Sequence, residues 1–387
     1  MTKPNPFRPG NGISPPYLAG RDEQLKLFKK SLDTALTLPQ NMVISGVRGT
    51  GKTALLKEFE KICQEKKWLC IRREFNPRHC SEAEFVGAVL TDVATKLKGA
   101  LVAKGLTKRK IGFLPEEERA PITEEIIYNL LSKYPGPLGD RFESALKEVH
   151  HVLEETGFHG LVLLYDEFHY IEDQRIQKNY PLSMLLEAFS HCQQEGLRYY
   201  LVLSGLPPLF PNLVSAKTYA ERMFIVEELG SLDKDAARSA VVKPFKDSPL
   251  KFEKQLVEEL VSETKGYPYF LQFYSYYLID TIPKSKITLS DFKKIYPMLL
   301  GRLDKSFFAG RFERASDSER ELLFNMAQLG TEIKVAELRK RTKLSKNVLN
   351  QFILSLVEKG LIYRERRGAY AFALPLFNEF LLRVRGR

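Results

Sequence analysis

The segment that most constrains this fold is Gly46–Thr53, which reads GVRGTGKT. It matches the pattern G-x-x-x-x-G-K-[ST] in full, follows the apolar run at 41–45, and precedes an amphipathic stretch over 52–66. Glycines let the backbone turn its N–H groups toward phosphate oxygens, and the N-terminus of a following helix adds positive potential. The segment therefore predicts a strand–loop–helix unit that binds the phosphates of a nucleotide; a glycine-rich turn without a ligand is the weaker alternative.

The side chains of this loop suggest ATP with Mg²⁺ as the bound species. Lys52 would reach the β- and γ-phosphates, and the Thr53 hydroxyl would bind the metal. ATP is favoured over GTP because no N-K-x-D guanine-reading motif is found. The expected nucleotide contacts from the loop are Gly46, Val47, Arg48, Gly49, Thr50, Gly51, Lys52, Thr53 and Ala54.

An acidic pair, Asp166-Glu167, ends a second apolar run at 161–168. A nearly continuous apolar run is typical of a strand that is buried on both faces. Asp166 is predicted to hold the outer shell of the metal, and Glu167 to orient or deprotonate the attacking water. A solvated pair at a strand end is the alternative reading. A third strand, at 198–205, ends in Ser204, which would hydrogen-bond the γ-phosphate or the water.

Strands that alternate with helices predict an α/β fold with a parallel sheet. Helices are expected at 18–36, 52–66, 81–97, 140–157 and 181–195, and a further strand at 68–75. The predicted organisation is an extended arm at 1–17, a nucleotide-binding domain at 18–230 with an insertion at 98–140, a helical lid without strands at 231–305, and a winged-helix unit at 312–387.

Composition narrows the class of protein. Apolar residues make up 44% of the 387-residue chain and charged residues 28%, as in folded soluble proteins. No run approaches the roughly 20 apolar residues that span a bilayer, and residues 1–16 lack the apolar centre of a signal peptide. We therefore expect a cytoplasmic protein without a membrane partner. The four cysteines show neither C-x-x-C spacing nor paired histidines, so disulfides and a zinc site are not expected.

The last part of the chain has the pattern of a winged helix-turn-helix. Helices are predicted at 316–330, from Val335, and after an N-cap at Ser345, and two strands surround residues 366–368. From Phe312 onward there are fifteen Lys or Arg against nine Asp or Glu, a balance of +6 out of +11 for the whole chain. The candidate DNA contacts are Lys346, Asn347 and Asn350 on the third helix, and Arg364, Arg366 and Arg367 on the wing.

These residues together resemble the AAA+ superfamily, nearest to the origin-recognition-like and STAND-related prokaryotic ATP-binding proteins. The segments that carry the resemblance are LAGRDEQL, ISGVRGTGKT, LVLLYDE, LVLSGLP, YAERMFIVEELGSL and KGYPYFLQ, followed by the terminal winged helix. The resemblance implies a P-loop NTPase of the AAA+ type with a helical lid. It covers nearly the whole chain.

The resemblance also implies roles for residues outside the phosphate loop. Arg222 lies where relatives place an arginine that reaches the γ-phosphate of a neighbouring subunit, which would require self-association; a local salt bridge is the alternative. The arm would pass near the adenine, so Ile13, Pro16 and Arg21 are candidate base contacts. Pro268 and Tyr267 would pack near the nucleotide. The initiator pattern would place an arginine in this part of the lid, and none is visible.

Three functions follow from this sequence. The leading one is an Mg²⁺-dependent ATPase that couples its nucleotide state to duplex DNA binding through the C-terminal unit. The alternative is a STAND-like switch whose winged helix packs on the core and whose client is a partner protein. A small-molecule kinase is the least favoured. The basic stretch at 104–110 is a second candidate for DNA contact, although charge runs are usually solvated.

Overall fold

The computed structural model describes residues 5–10, 12–35, 39–103, 131–246 and 248–386. Its core is a five-stranded sheet in the order β2-β3-β4-β1-β5, with every neighbouring pair parallel. The strands are β1 Asn41–Ser45, β2 Leu69–Glu74, β3 Leu161–Asp166, β4 Tyr199–Gly205 and β5 Phe224–Glu228. This sheet confirms the predicted α/β fold class. The edge strand β5 was not predicted, because it is only partly buried and lacks the continuous apolar run of the central strands.

Helices cover both faces of the sheet, which is why β1, β3 and β4 are buried at every position. On one face Phe28 and Phe59 stack with ring centroids 4.0 Å apart, above Tyr200 of β4. The other face packs beneath three long helices, with Tyr165 of β3 wholly buried. The helices of this domain are α1 Asp22–Thr34, α2 Lys52–Glu65, α3 Glu82–Ala103, α4 Leu138–Thr156, α5 Pro181–Gln194, α6 Leu209–Ala216 and α7 Ala220–Met223.

The predicted insertion at 98–140 lies only partly within the described residues. Helix α3 runs to Ala103, beyond its expected end, and α4 begins at Leu138. Residues 104–130 lie outside the described residues, and with them most of the expected hairpin or loop and the basic stretch at 104–110. None of the helices in the described ranges has the length and apolarity that a membrane span requires.

The segment after the sheet is helical, as expected for a lid, but the expectation that it contains no strand is corrected. Two-residue strands β6 Lys251–Phe252 and β7 Lys286–Ile287 pair in parallel. Strands this short carry no readable alternation, so the pattern could not reveal them. The lid helices are α8 Lys234–Val242, α9 Lys254–Glu263, α10 Pro268–Thr281 and α11 Leu289–Leu303.

A junction of two helical turns, a π-helical segment Asp304–Ala309 and the turn Gly310–Phe312, leads from the lid to the C-terminal unit. The unit has a three-stranded antiparallel sheet in the order β8-β10-β9. Its elements are α12 Asp317–Ala327, β8 Glu332–Lys334, α13 Val335–Thr342, α14 Lys346–Glu358, β9 Ile362–Arg366, β10 Ala369–Phe372 and α15 Phe377–Arg385. Strand β8 and helix α15 are additions to the predicted three helices and two strands.

The lid and the C-terminal unit share one hydrophobic core. Phe308 of the junction stacks on Phe380 of α15, with 5.0 Å between ring centroids. Arg383 Nη2 donates to Asp304 Oδ1 at 2.6 Å, and Lys265 of the lid pairs with Glu379. The C-terminal unit is therefore packed on the lid rather than tethered by a free linker.

Candidate functional site

The candidate site lies at the edge of the sheet where β1, β3 and β4 end. The loop after β1 turns through Gly49 at φ 84° and Gly51 at φ 94° before α2 begins at Lys52. These left-handed angles are readily adopted only by glycine. A Cβ at Gly49 would also lie 3.1 Å from Tyr269 Cβ of the lid, a tighter contact than usual, so the close approach of the lid adds to the preference for glycine. The loop has the backbone geometry that the sequence predicts.

Lys52 is held inside this loop. Its ammonium donates to the carbonyls of Gly46 at 2.7 Å and Val47 at 3.1 Å, and the residue is only 6% exposed. Burial lowers the pKa of Lys52, while Glu167 and Asp166 act in the opposite direction. A buried cation that has lost most of its hydration attracts an anion strongly, so Lys52 suits a phosphate group.

Thr53, Asp166 and Ser204 are brought together across three elements. Asp166 Oδ2 accepts from the Thr53 hydroxyl at 2.6 Å, and Oδ1 accepts from the Ser204 hydroxyl and the Glu167 N–H, both at 2.9 Å. Asp166 is 3% exposed, so these hydrogen bonds replace its lost hydration. The sequence predicted Thr53 and Asp166 as metal-binding residues, and the structure places them in direct contact.

Ser204 differs from its prediction. We expected its hydroxyl to contact the γ-phosphate or the attacking water, but it donates to Asp166 and is wholly buried. The residue lies next to Gly205, the last residue of β4, whose backbone carbonyl accepts from Gly46 N–H at 3.1 Å. Its position in this structure is that of a positioning residue for Asp166.

The oxygen ligands at Thr53 and Asp166 fit a bound Mg²⁺. Mg²⁺ prefers hard oxygen ligands and in nucleotide sites takes one or two from the protein, with the rest from phosphates and water. In the described ranges, no group of three or more His, Cys, Asp or Glu side chains could hold a metal ion. The residues present therefore suit Mg²⁺ that arrives with a nucleotide.

Glu167 sits in a left-handed backbone conformation at φ 51°, which is uncommon outside glycine. Its Oε2 atom is buried without a hydrogen-bond partner among the described residues. Burial raises the pKa of Glu167, and the nearby Arg48 and Lys52 oppose that shift. A strained backbone and an unpartnered buried oxygen commonly mark functional residues, and both fit the predicted role toward water.

His169 is a site residue that sequence reasoning missed. Its Nε2 lies 3.6 Å from Glu167 Oε2, and its Nδ1 accepts from the Leu206 N–H at 3.4 Å. That hydrogen bond assigns the ring proton to Nε2, the side that faces Glu167. Burial, with Arg48 and Lys52, lowers the pKa of His169 to about 3, so the ring is neutral. Only its place two residues after Glu167 could have suggested it.

A cavity of about 540 Å³ opens beside the phosphate loop. A volume in this range holds a small-molecule ligand or cofactor. Its walls come from the N-terminal arm, the phosphate loop, β2 and its following turn, the lid and the junction. The lining residues used below are Arg8, Ile13, Tyr17, Arg21, Glu167 and Pro268.

Arg21 hydrogen-bonds to the backbone of the phosphate loop. Its guanidinium donates to Thr50 O at 3.0 Å and Gly230 O at 3.1 Å, and the residue is 7% exposed. Ile13 lines the cavity and Pro16 does not. The contacts of Arg21, Ile13 and Pro16 with an adenine stay predictions.

The lid reaches the phosphate loop through the start of α10. Tyr269 N–H donates to Gly49 O at 3.3 Å, and Pro268 lines the cavity while Tyr267 caps the helix. Because the first N–H groups of a helix have no partner within it, the loop carbonyl satisfies one of them. The predicted proximity of Pro268 to a nucleotide stays a prediction, although the residue does line the cavity.

Arg222 lies far from the phosphate loop. It is exposed in α7, just before Phe224, which pairs with Asn41 at the amino end of β1. A five-residue strand separates the two ends by roughly 15 Å, so Arg222 does not reach its own site. It forms no ion pair with another described residue, which removes the support for a local salt bridge. A role in a neighbouring subunit stays a prediction.

The six candidate DNA contacts are all exposed. Lys346, Asn347 and Asn350 lie on the first turns of α14, which Ser345 caps as predicted. Of the three wing arginines, Arg364 lies within β9 opposite Tyr370, and Arg366 and Arg367 lie at the tip where β9 turns into β10. Arg366 pairs with Glu332 of β8. Their accessibility agrees with the prediction, and contact with DNA itself stays a prediction.

Comparisons with known protein families agree with the parallel sheet and the phosphate loop described above. Residues 17–203 match the family model described as AAA ATPase domain. Residues 305–381, which span the junction and the C-terminal unit, match the model described as Domain of unknown function (DUF8462). The first match, with the sheet and loop described above, supports nucleotide binding and, in general terms, ATPase activity.

Individual relatives are distant. An uncharacterized HTH-type transcriptional regulator of Methanocaldococcus jannaschii is 22% identical over 95% of this chain and 88% of its own length. A Walker-type ATPase of Pyrococcus abyssi has a TM-score of 0.61 at 17% identity, covering 94% of this chain and 96% of that one. The ORC2 protein of Aeropyrum pernix, in its ADPNP–ADP complexes, has a TM-score of 0.53 at 14% identity, covering 98% of each chain. The two structures show a shared fold.

Proposed function

We propose that this protein is an Mg²⁺-dependent ATPase whose nucleotide state controls duplex DNA binding through a C-terminal winged helix. The observation that carries the ATPase part is the contact of Thr53 with Asp166 at 2.6 Å, beside the buried Lys52 and the unpartnered Oε2 of Glu167. No simple structural need explains four polar side chains gathered at this edge of the sheet, three of which (Lys52, Thr53 and Glu167) line one cavity.

The chemistry follows from these positions. The backbone N–H groups of the loop and the Lys52 ammonium hold the phosphates of ATP. Glu167 accepts the proton of a water whose oxygen bonds to the γ-phosphorus, and ADP leaves as inorganic phosphate forms. Asp166 and Thr53 would hold Mg²⁺, which neutralises charge on the phosphate oxygens when bound. Ser204 fixes the Asp166 carboxylate.

The DNA part rests on the C-terminal unit. The order helix, strand, helix, helix, strand, strand suits a winged helix, with α14 as the recognition helix. Its exposed face carries Lys346, Asn347 and Asn350, and its wing carries three arginines that would contact phosphates. The description of the M. jannaschii relative as HTH-type agrees with this proposal. Assembly into oligomers, with Arg222 reaching the γ-phosphate of a neighbouring subunit, belongs to the same proposal.

A second function is favoured by one observation. The C-terminal unit shares a hydrophobic core with the lid, its Glu379 pairs with Lys265 of the lid, and its Arg383 pairs with Asp304 of the junction. A unit packed in this way suits a switch in which ATP controls its docking and a partner protein is the client. The two functions differ in whether duplex DNA is bound.

Replacing Arg364, Arg366 and Arg367 by Ala tests the DNA part. Each arginine at a phosphate contributes about one unit to the slope of log affinity against log salt concentration. We expect duplex DNA binding to weaken by at least tenfold and the salt slope to fall by about three. Fluorescence anisotropy over a salt series with ATP, with ADP and without nucleotide measures both quantities.

The matched control replaces three lysines that are exposed elsewhere, Lys293, Lys294 and Lys305, by Ala. It removes the same charge without touching the wing. If both triple variants lost DNA binding equally, the loss would come from the lower net charge and not from contacts of the wing. If the native protein shows no salt-sensitive DNA binding in any nucleotide state, the DNA function is lost and the switch with a protein client remains.

His169→Ala tests the support of the Glu167 carboxylate. The neutral ring presents an N–H toward Glu167 Oε2, so its loss frees the carboxylate to turn away from the water. We expect kcat to fall by about tenfold with little change in KM, and His169→Gln, which restores an N–H donor, to recover part of the loss. Steady-state phosphate release measures both, with the exposed His151→Ala as a control. An unchanged kcat would exclude this positioning role.

A further inference from the structure

The N-terminal arm is attached to the lid through one aromatic side chain, Phe7. Phe7 is 1% exposed and is the only buried residue among the described residues 5–18. Its ring meets Phe245 edge-on with 5.4 Å between centroids and stacks on Phe252 at 6.3 Å. Phe252 lies in β6, the short strand that pairs with β7, and Leu250 completes the pocket. The start of the arm is therefore inserted into the lid.

The backbone beside Phe7 is fixed as well. Asn5 Nδ2 donates to Tyr276 O of α10 at 2.9 Å, and Asn5 Oδ1 accepts from the Phe7 N–H at 3.1 Å. Edge-on and stacked aromatic pairs add to the free energy that comes from burying the ring itself. The hydrogen bonds of Asn5 thus set the register in which the Phe7 ring enters its pocket.

A second set of contacts holds the arm to the core. Lys57 Nζ of α2, the helix that follows the phosphate loop, donates to Gly12 O. Arg21 donates to Thr50 O of the loop itself. Gly12 follows Phe7 by five residues, and five residues span at most roughly 18 Å when fully extended. The arm is thus a short connection between the lid and the phosphate-loop helix.

This connection also forms one wall of the cavity. Arm residues from Arg8 to Tyr17 line one side, and the phosphate loop and the lid, including Pro268, line others. The Tyr17 hydroxyl accepts from Lys243 Nζ of the lid at 2.6 Å, and this ammonium lies 4.2 Å from the centre of the Tyr17 ring. Lys243 is exposed, and contacts of an exposed cation contribute little to stability. Among the described residues 5–17, Phe7 therefore makes the strongest attachment to the lid.

We infer that the arm is a strap that controls nucleotide exchange, and that Phe7 is the positioning residue that keeps the strap closed. The lid cannot move far from α2 while both attachments persist, because the chain between them is short. Release of Phe7 from the lid lets the strap lift, so nucleotide enters and leaves the cavity through the same opening. The inference rests on the proposed function, because it takes a nucleotide as the ligand of the cavity.

A strap has a kinetic effect that a simple contact between the arm and the nucleotide does not have. If the strap opens for each exchange, a weaker attachment raises the association and dissociation rate constants together and leaves the equilibrium affinity almost unchanged. If the arm only contacts the bound nucleotide, loss of that contact raises the dissociation rate constant alone and weakens the affinity in proportion. The two rate constants therefore distinguish the two roles.

Stopped-flow fluorescence with N-methylanthraniloyl-ADP and Mg²⁺ measures both constants on the full chain, for the native protein, Phe7→Ala, Phe7→Leu and Asn5→Ala. Association follows from the dependence on nucleotide concentration, and dissociation from a chase with excess unlabelled ADP. We expect both rate constants to rise by at least about tenfold in Phe7→Ala, because the ring supplies most of the buried apolar area of the attachment. Phe7→Leu and Asn5→Ala should show smaller rises, and the equilibrium dissociation constant should stay within about twofold of the native value throughout.

Pro6→Ala is the matched control, because Pro6 is next to Phe7 but outside the cavity lining, and it should exchange nucleotide at the native rates. Thermal denaturation shows whether Phe7→Ala is folded; if it is not, Asn5→Ala, which leaves the aromatic pocket filled, decides. A rise in the dissociation rate constant alone, or native rates in every folded arm variant, would overturn the inference while leaving the proposed function intact. Failure of the native protein to bind the nucleotide would instead refute the proposed function itself.

Discussion

Glu167→Gln is expected to abolish ATP turnover while leaving ATP binding intact. Gln keeps the size and the polar character of the side chain but cannot accept the proton of the attacking water. The loss of a positioned general base typically costs 10²–10⁴-fold, so we expect phosphate release to fall by at least about 100-fold. Since burial raises the pKa of Glu167 by disfavouring its charge, the neutral amide is tolerated and ATP affinity should hold or rise.

Phosphate release with and without duplex DNA, together with equilibrium ATP binding, measures this effect. Glu172→Gln, a carboxylate five residues later outside the cavity lining, serves as the control and should turn over ATP like the native protein. A Glu167→Gln protein that still hydrolyses ATP at the native rate would remove Glu167 from the chemistry. Negligible turnover in the native protein with tight ATP binding would instead identify a nucleotide-held switch.

Lys52→Ala is expected to reduce nucleotide affinity by at least about 100-fold. The ammonium is buried in the loop, and a charge-assisted contact of this kind is worth several times a surface ion pair because little water screens it. Removing it also leaves the Gly46 and Val47 carbonyls without their donor, which costs about 1–3 kcal/mol of stability. The loss of affinity and a modest loss of stability should therefore appear together.

Thermal denaturation with and without Mg²⁺ and ATP separates the two effects. A ligand that binds only the folded state raises the melting temperature, so ATP should raise that of the native protein but not of Lys52→Ala. Lys61→Ala is the control, because Lys61 lies on the same helix with its side chain 62% exposed. An ATP-dependent stabilisation that survives in Lys52→Ala would contradict the assigned phosphate site.

The residues of the phosphate loop and the acidic pair, which sequence reasoning found, share one property: each lies at a fixed offset from a strand end. Lys52 and Thr53 follow β1 through a loop of set length, and Asp166 ends β3. Parallel strands place their carboxyl ends at one edge of the sheet, so local patterns were enough to bring these residues together. The contact that the structure shows between Thr53 and Asp166 follows from that rule.

The residues that were missed or reassigned depend on contacts between distant segments. His169 becomes relevant only because Leu206, the residue after β4, donates to its ring, and the Ser204 hydroxyl donates to Asp166 rather than facing the cavity. Asn5 is 271 residues from Tyr276 in the chain, and the attachment that it shares with Phe7 depends on how the lid folds. No spacing rule connects such positions.

By itself the sequence determined the parallel α/β core, the phosphate loop, the acidic pair and the helical character of the lid. These follow from local periodicity and from glycines that adopt left-handed angles, which are properties of short segments. The tertiary structure alone decided the short strand pair in the lid, the packing of the C-terminal unit on that lid, and the insertion of Phe7 into the lid. Those features arise from apolar surfaces and charges of segments far apart in the chain, whose pairing depends on the whole fold.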